Sequence, residues 1–236
     1  MKEELLKAKA ILDREPLLRV QGLESLRRGS AEIIAMMEDG LLLFDSIGRV
    51  PMLFADSAET ARALLDALPE TDVLVSDCAE MDEEIMEKRG LNGRTACHNV
   101  VYLKAEAPEV VTSLILRPLP MDKAELFSRH YRIHDLDEIR GIIAEGRLLG
   151  GYMEDVLVGF IGWHEEGSMG MLHVLEPCRC KGYGHAMEAL LLRETLRRGM
   201  IPYGQVVLGN DASMDLQLKL GFTPSEKNVS WLYRED

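Results

Sequence analysis

Between residues 174 and 186 the chain reads Val174-Leu175-Glu176-Pro177-Cys178-Arg179-Cys180-Lys181-Gly182-Tyr183-Gly184-His185-Ala186. Two glycines one residue apart follow two cations, and a long helical pattern follows the glycines. Glycine lets the backbone come close to a ligand. The first amide groups of a helix, aided by its dipole, attract an anion. Arg179 and Lys181 would add charge-assisted hydrogen bonds to phosphate oxygens. The chemistry this pattern supports is the holding of a polyphosphate. A Gly-x-Gly pair by itself marks only a tight turn. Here it is fed by a strand pattern through Val174. A second strand, Gln205 to Leu208, comes later, followed by Asn210 and Ser213 at a helix start and by Lys219-Leu220-Gly221-Phe222.

Taken together, Arg179-x-x-Gly182-x-Gly184, Asn210 and the Lys219–Phe222 close resemble the GNAT superfamily of acyl-CoA-dependent N-acyltransferases, over the second half of the chain. The resemblance implies acetyl-CoA or another acyl-CoA as co-substrate and a small-molecule amine as acceptor. It implies that Arg179, Cys180, Lys181, Gly182, Tyr183, Gly184, His185 and Ala186 surround the CoA pyrophosphate, with Asn210 and Ser213 assisting. It also implies that the pantetheine arm lies along the strand edge at Val174 and Leu175, in a gap whose other wall is the strand Gln205 to Leu208. Pro177 cannot donate a ladder hydrogen bond, which suits a strand leaving its sheet.

Attack of an amine on a thioester needs a proton acceptor and a donor to the thioester carbonyl, expected as a backbone N–H near Leu175. The acceptor candidates are Glu176, directly after the edge, and His173, which is expected to point to the opposite face. The chain departs from the family at two positions. Gln217 stands where many members carry a tyrosine acid, and Gly170 where many carry a strand-four base. Those departures keep open an alternative: a GNAT-fold CoA-binding or regulatory module with little turnover. A dinucleotide-binding oxidoreductase would place an acid about 20 residues after the glycines; residues 202–205 are Pro-Tyr-Gly-Gln.

The elements that must position these residues read as a mixed α/β chain. Two helices over residues 2–28 break near Glu15-Pro16. Strands at 32–37, 41–44 and 50–54, a helix from Asp56-Ser57, a strand at 72–75, a helix at 81–88 and a strand at 96–103 follow. The second half has a strand at 113–117, helices at 122–131 and 136–143, and strands at 148–153, 156–163 and 169–175. After the glycine loop and its helix come a strand at 205–208, a helix at 212–220 and a strand at 229–233. The halves repeat one another, which predicts a degenerate GNAT-like domain over 1–105 and a GNAT domain over 111–236. Lys104 to Val111 is the expected linker. Where the first half would carry its loop it has Ala55-Asp56, and an aspartate repels phosphate. This order is similar to that of glycine N-acyltransferase-like proteins.

Composition narrows the partners. The 236 residues carry a net charge of −13, with −9 over residues 1–110 and −4 over 111–236. Such a balance argues against a nucleic-acid partner. Charges interrupt every apolar run, so no membrane span is expected. The N-terminus lacks the apolar core of a signal peptide, so a cytoplasmic protein is expected. Cys78, Cys97, Cys178 and Cys180 lack zinc-site spacing and read as free thiols. The pattern leaves room for a homodimer.

Overall fold

The computed structural model describes residues 2–131 and 135–235. Residue 1, residues 132–134 and residue 236 lie outside them. The chain forms two compact units that interleave in sequence. The first comprises Met1–Tyr102, Glu165–Gly167 and Tyr203–Asp236; the second comprises Leu103–His164 and Ser168–Pro202. The boundary after Tyr102 falls beside the expected linker. The contiguous division into 1–105 and 111–236 differs from these units in that residues 203–236 pack with the N-terminal segment.

In the first unit α1 (Lys2–Leu12) and α2 (Val20–Arg28) flank the break at Pro16. They are followed by β1 (Ala31–Met37), β2 (Gly40–Asp45) and β3 (Val50–Ala55), an antiparallel meander. Helix α3 (Ala58–Leu65) crosses over to β4 (Val73–Ser76), parallel to β3, and α4 (Asp82–Arg89) leads to β5 (Gly93–Val101). The C-terminal elements of the chain complete this sheet. Within the unit the spatial order is β1-β2-β3-β4-β12-β5-β10, with β10 (Tyr203–Val207) and β12 (Val229–Tyr233) on opposite edges of β5. Helix α8 (Asp211–Leu220) and the two-residue β11 (Thr223–Pro224) lie between them in sequence. Sequence periodicity places every longer strand and helix within a few residues; β11 is too short to carry a pattern.

Strand β2 is apolar on both faces because both are covered. Leu41 and Leu43 pack with Leu12, Met52 and Phe54, whereas Leu42 packs with Leu53, Leu64, Leu74 and Leu232. Alternate residues of a strand point to opposite faces, so a continuous Leu run is what a two-sided core requires.

Strands β3 and β4 are paired only at Met52–Val75 and Leu53–Ser76. Past that point charged side chains line the crevice. Asp77 accepts the Ala55 N–H at 2.9 Å and the Arg19 Nε at 2.7 Å, and Arg19 also reaches Asp56 at 2.8 Å and the Ile11 carbonyl at 2.9 Å. The Arg19 and Asp77 side chains are 2% and 1% exposed. Burial pushes the Asp77 carboxyl up while Arg19 pulls it back. Ser57 caps α3 by accepting from Thr60 N. The first unit thus has a GNAT-like order, and the cavity beside this crevice is lined by the charged side chains of Arg14, Arg19, Asp56, Asp77 and Lys227.

The second unit is an antiparallel sheet of β6 (Ile115–Pro118), β7 (Leu148–Met153), β8 (Val156–Trp163) and β9 (Met169–Val174). Helices α5 (Ala124–Ser128) and α6 (Leu136–Ala144) cover one face, where Phe127, Ile139, Ile142, Phe160 and Met171 form a core. Asp135 and Glu138 make a reciprocal capping box at the start of α6. Helix α7 (Tyr183–Arg197) covers the other face. Its Met187 lies so close to the sheet that a Cβ at Gly159 would stand 2.7 Å from Met187 Cε, and Trp163 Nε1 donates to Thr195 at 2.8 Å.

Breaking a buried ion pair leaves an uncompensated charge, a loss of about 3–5 kcal/mol. Asp77→Ala is therefore expected to lower the unfolding free energy, read from urea denaturation, by an amount up to that range, and the double variant Arg19→Met with Asp77→Ala to recover much of it. A double variant no more stable than Asp77→Ala would show that the pair is not the main contribution.

Candidate active site

The loop ahead of α7 is built by three local devices. After Val174 the chain turns through a 3-10 segment, Glu176–Cys178, with Pro177 inside it; proline has no N–H and a fixed φ, so the strand ends there. Cys178 N–H donates to Leu175 O and Arg179 N–H to Glu176 O. Cys180 and Gly182 then take φ of 59° and 78°, the left-handed region that glycine enters freely and cysteine does not. Gly182 is the N-cap of α7, no side chain caps the helix, and its first turn holds no acid. Arg179 Nε donates to Val174 O at 3.2 Å and Lys181 Nζ to Pro177 O at 3.1 Å, both at the exposed surface. From Arg179 to the first turn of α7 the charged side chains are the cations Arg179 and Lys181, while the acid Glu176 lies at the start of the loop. The two cations with the main-chain amides fit an anionic group of phosphate type.

Helix α7 seats as its pattern requires. Ala186, Ala189 and Leu192 are buried and Leu196 is half-buried. A Cβ at Gly184 would be in ordinary contact with Val174, 3.6 Å from its Cγ2, so packing within the unit does not demand glycine there. Tyr183 and His185 are half-buried.

Ten of the expected cofactor residues, Val174, Leu175 and Arg179 through Ala186, follow one another along this segment of the second unit. Asn210 and Ser213 lie in the first unit, where Asn210 Oδ1 caps α8 by accepting the Ser213 N–H at 3.2 Å. Strand β9 belongs to the second unit and β10 to the first. Gln217 is a buried residue of α8.

The Leu175 amide is committed: it donates to Val158 O at 2.9 Å. The expected backbone donor near Leu175 would therefore be a neighbouring amide and not that of Leu175. Strand β9 instead carries an irregularity that periodicity does not reveal. Its register against β8 shifts between Phe160 and Gly162, and Met171, with φ of 56°, is the bulged residue. A bulge removes backbone groups from the ladder and bends the strand. A non-glycine residue in that conformation leaves no mark in the sequence.

Glu176 is exposed at the start of the 3-10 turn. His173 faces α5 and α6, away from the α7 face. Its ring stacks on His130 with centroids 4.3 Å apart, and its buried Nε2 has no hydrogen-bond partner. Burial, then the neighbouring His130 and Arg179, hold the His173 pKa below the ordinary 6.5. The four cysteines are free, with Cys178 half-buried and Cys180 exposed. No cluster of metal-ligating side chains occurs among the described residues, nor does any helix long and apolar enough to cross a membrane.

Residues 150–232 match the family model of FR47-like proteins. A Drosophila protein of known structure is similar over its whole length, with a TM-score of 0.72 and 16% identity, covering 100% of this chain and 97% of that one. A GCN5-related N-acetyltransferase from Kribbella flavida superposes with a TM-score of 0.52 at 15% identity, covering 92% and 95%. A tandem GNAT protein from the clavulanic acid biosynthesis pathway does so with 0.50 at 15%, covering 97% and 92%. No curated protein matches the chain. The chain has the GNAT fold, as the resemblance of its loop implies, and its neighbours include a two-domain member.

The depressed His173 pKa has a testable sign. As pH falls through about 6.5 the unfolded chain takes up this proton first. The contribution to stability is therefore complete above that value and is lost as pH falls through the folded pKa. Arg179→Gln removes one of the causes and is expected to move the His173 titration upward, read from its ring proton shifts by NMR. A curve superimposable on the wild type would show that Arg179 does not act on His173.

Proposed function

We propose that this protein is an acyl-CoA-dependent N-acyltransferase, with acetyl-CoA the expected donor and a small-molecule amine the acceptor. The observation that carries the reading is the uncapped start of α7, entered through left-handed Cys180 and Gly182 and bordered by Arg179 and Lys181. A helix whose first amides lack a side-chain cap, with cations and no acid beside it, is suited to a diphosphate. The amides of Gly182 through Ala186 are proposed to receive the pyrophosphate, and Arg179 and Lys181 to move from their loop carbonyls onto it. The pantetheine is proposed to run along Val174 and Leu175, which brings the thioester toward the bulge at Met171. Glu176 and His173 are proposed to border the acceptor amine.

The first unit supports a single site per chain. Its corresponding helix is capped by Ser57, and the carboxylates of Asp56 and Asp77 line the crevice. Titration calorimetry is expected to find one acetyl-CoA per chain. Gly182→Val, which forces a β-branched residue into the left-handed region, is expected to weaken binding by more than about tenfold, equivalent to about 1.4 kcal/mol, while the cooperative melt persists. Free thiol release with a panel of amines is expected in the wild type, and Glu176→Gln is expected to lower turnover with CoA affinity preserved. Unchanged affinity in Gly182→Val would overturn the loop assignment. Tight binding without thiol release for any amine would instead favour a CoA-binding module.

A further inference from the structure

The α5–α6 face of the β8–β9 hairpin carries a group that the strand-end candidates do not explain. His164 follows β8 directly. Its N–H donates to Ser168 O at 2.9 Å, which fixes its backbone at the neck of the hairpin. Its ring lies against the backbone of Gly170: a Cβ there would stand 2.5 Å from His164 Nε2 and 2.8 Å from Cδ2. Real Cβ atoms do not come that close, so any side chain at residue 170 would displace the imidazole. The residue paired with Gly170 across the ladder is Gly162. Neither strand raises a side chain at this rung, and the imidazole fills the space. Both His164 and Gly170 are half-exposed, and the next residue is the bulged Met171.

We infer that His164 takes the proton from the attacking amine, and that residue 170 is glycine to admit its ring. The inference rests on the acyl-transfer reading. Neither strand-end candidate is placed as well. His173 is stacked on His130 with its Nε2 buried, and Glu176 lies beyond the end of β9 in open solvent. Around His164 stand Tyr131, with ring centres 6.4 Å apart, and Arg147, whose guanidinium donates to Trp163 O at 3.3 Å. An imidazole changes charge near neutrality, where a base for this reaction is needed. One ammonium proton passes to solvent and leaves a neutral amine. Its nitrogen attacks the thioester carbonyl while His164, directly or through one water, takes a second proton as the N–C bond forms. The C–S bond then breaks, and the imidazolium returns that proton to the CoA sulfur. The imidazole ends neutral, and the products are an amide and a thiol.

The test uses His164→Gln and Gly170→Ala in the full chain, with acetyl-CoA and the fastest amine of the panel, or water where no amine turns over. Both variants are expected to lose about a hundredfold or more in kcat and to lose the acidic limb of kcat/KM, while acetyl-CoA affinity by calorimetry stays within about twofold of wild type. His164→Ala is expected to regain rate on addition of free imidazole. Wild-type kcat and an unaltered pH profile in His164→Gln would overturn the inference and leave the acyl-transfer reading standing. Where His164→Gln does not melt cooperatively, the pH profile of Gly170→Ala decides in the same way. A wild-type protein that binds no acetyl-CoA would instead remove the reading on which the inference rests.

Discussion

An α-helix must do something with the amide groups of its first turn, and the two crossover helices of this chain do opposite things. In α3 the preceding Ser57 accepts the Thr60 amide, and the carboxylate of Asp56 stands just before it. In α7 the preceding residue is a left-handed glycine with no side chain to offer, and the approach is lined by Arg179 and Lys181. The difference amounts to a hydroxyl and a sign of charge. A hydroxyl cap satisfies one of the four free amides from within. A glycine cap offers them no side chain, and the cations add to their attraction for an anion.

The same contrast extends to the strand ends. Where β3 and β4 stop pairing, Asp77 takes the amide of Ala55 and Arg19 neutralises Asp77. Each buried polar group has a partner, and removing one of them would be costly. Strand β9 solves its geometry without such a plug. The bulge at Met171 bends the backbone, and side chains of neighbouring elements lie against bare glycines: His164 on Gly170 and Met187 on Gly159.

Much of this was legible in the sequence because the relevant signals are local. The glycine loop, the Asn210 cap, the proline break after α1 and the alternation of the strands are all encoded within a few residues of where they act. What could not be read is long-range. Arg19 and Asp77 lie 58 residues apart and meet only after the sheet forms. The contact of His164 with Gly170 depends on the hairpin register, and a glycine in the family's base position reads as a loss until the ring beside it is seen. The bulge at Met171 is set by packing against β8 and not by residue type. The side-chain candidates were therefore less legible than the loop: His173 stands against His130 on the face away from α7, as the strand alternation required, but the residue seated on the strand-four position comes from the next strand.

The interleaving of the units bears on how the fold is held. Strand β5 ends the N-terminal run of residues, yet both of its neighbours, β10 and β12, come from the last 34 residues, and β12 also pairs with β4. Without β10, β11 and β12 one edge of β4 and both edges of β5 would be left unpaired. Strands β4 and β5 thus form the frame on which β12 and β10 are laid.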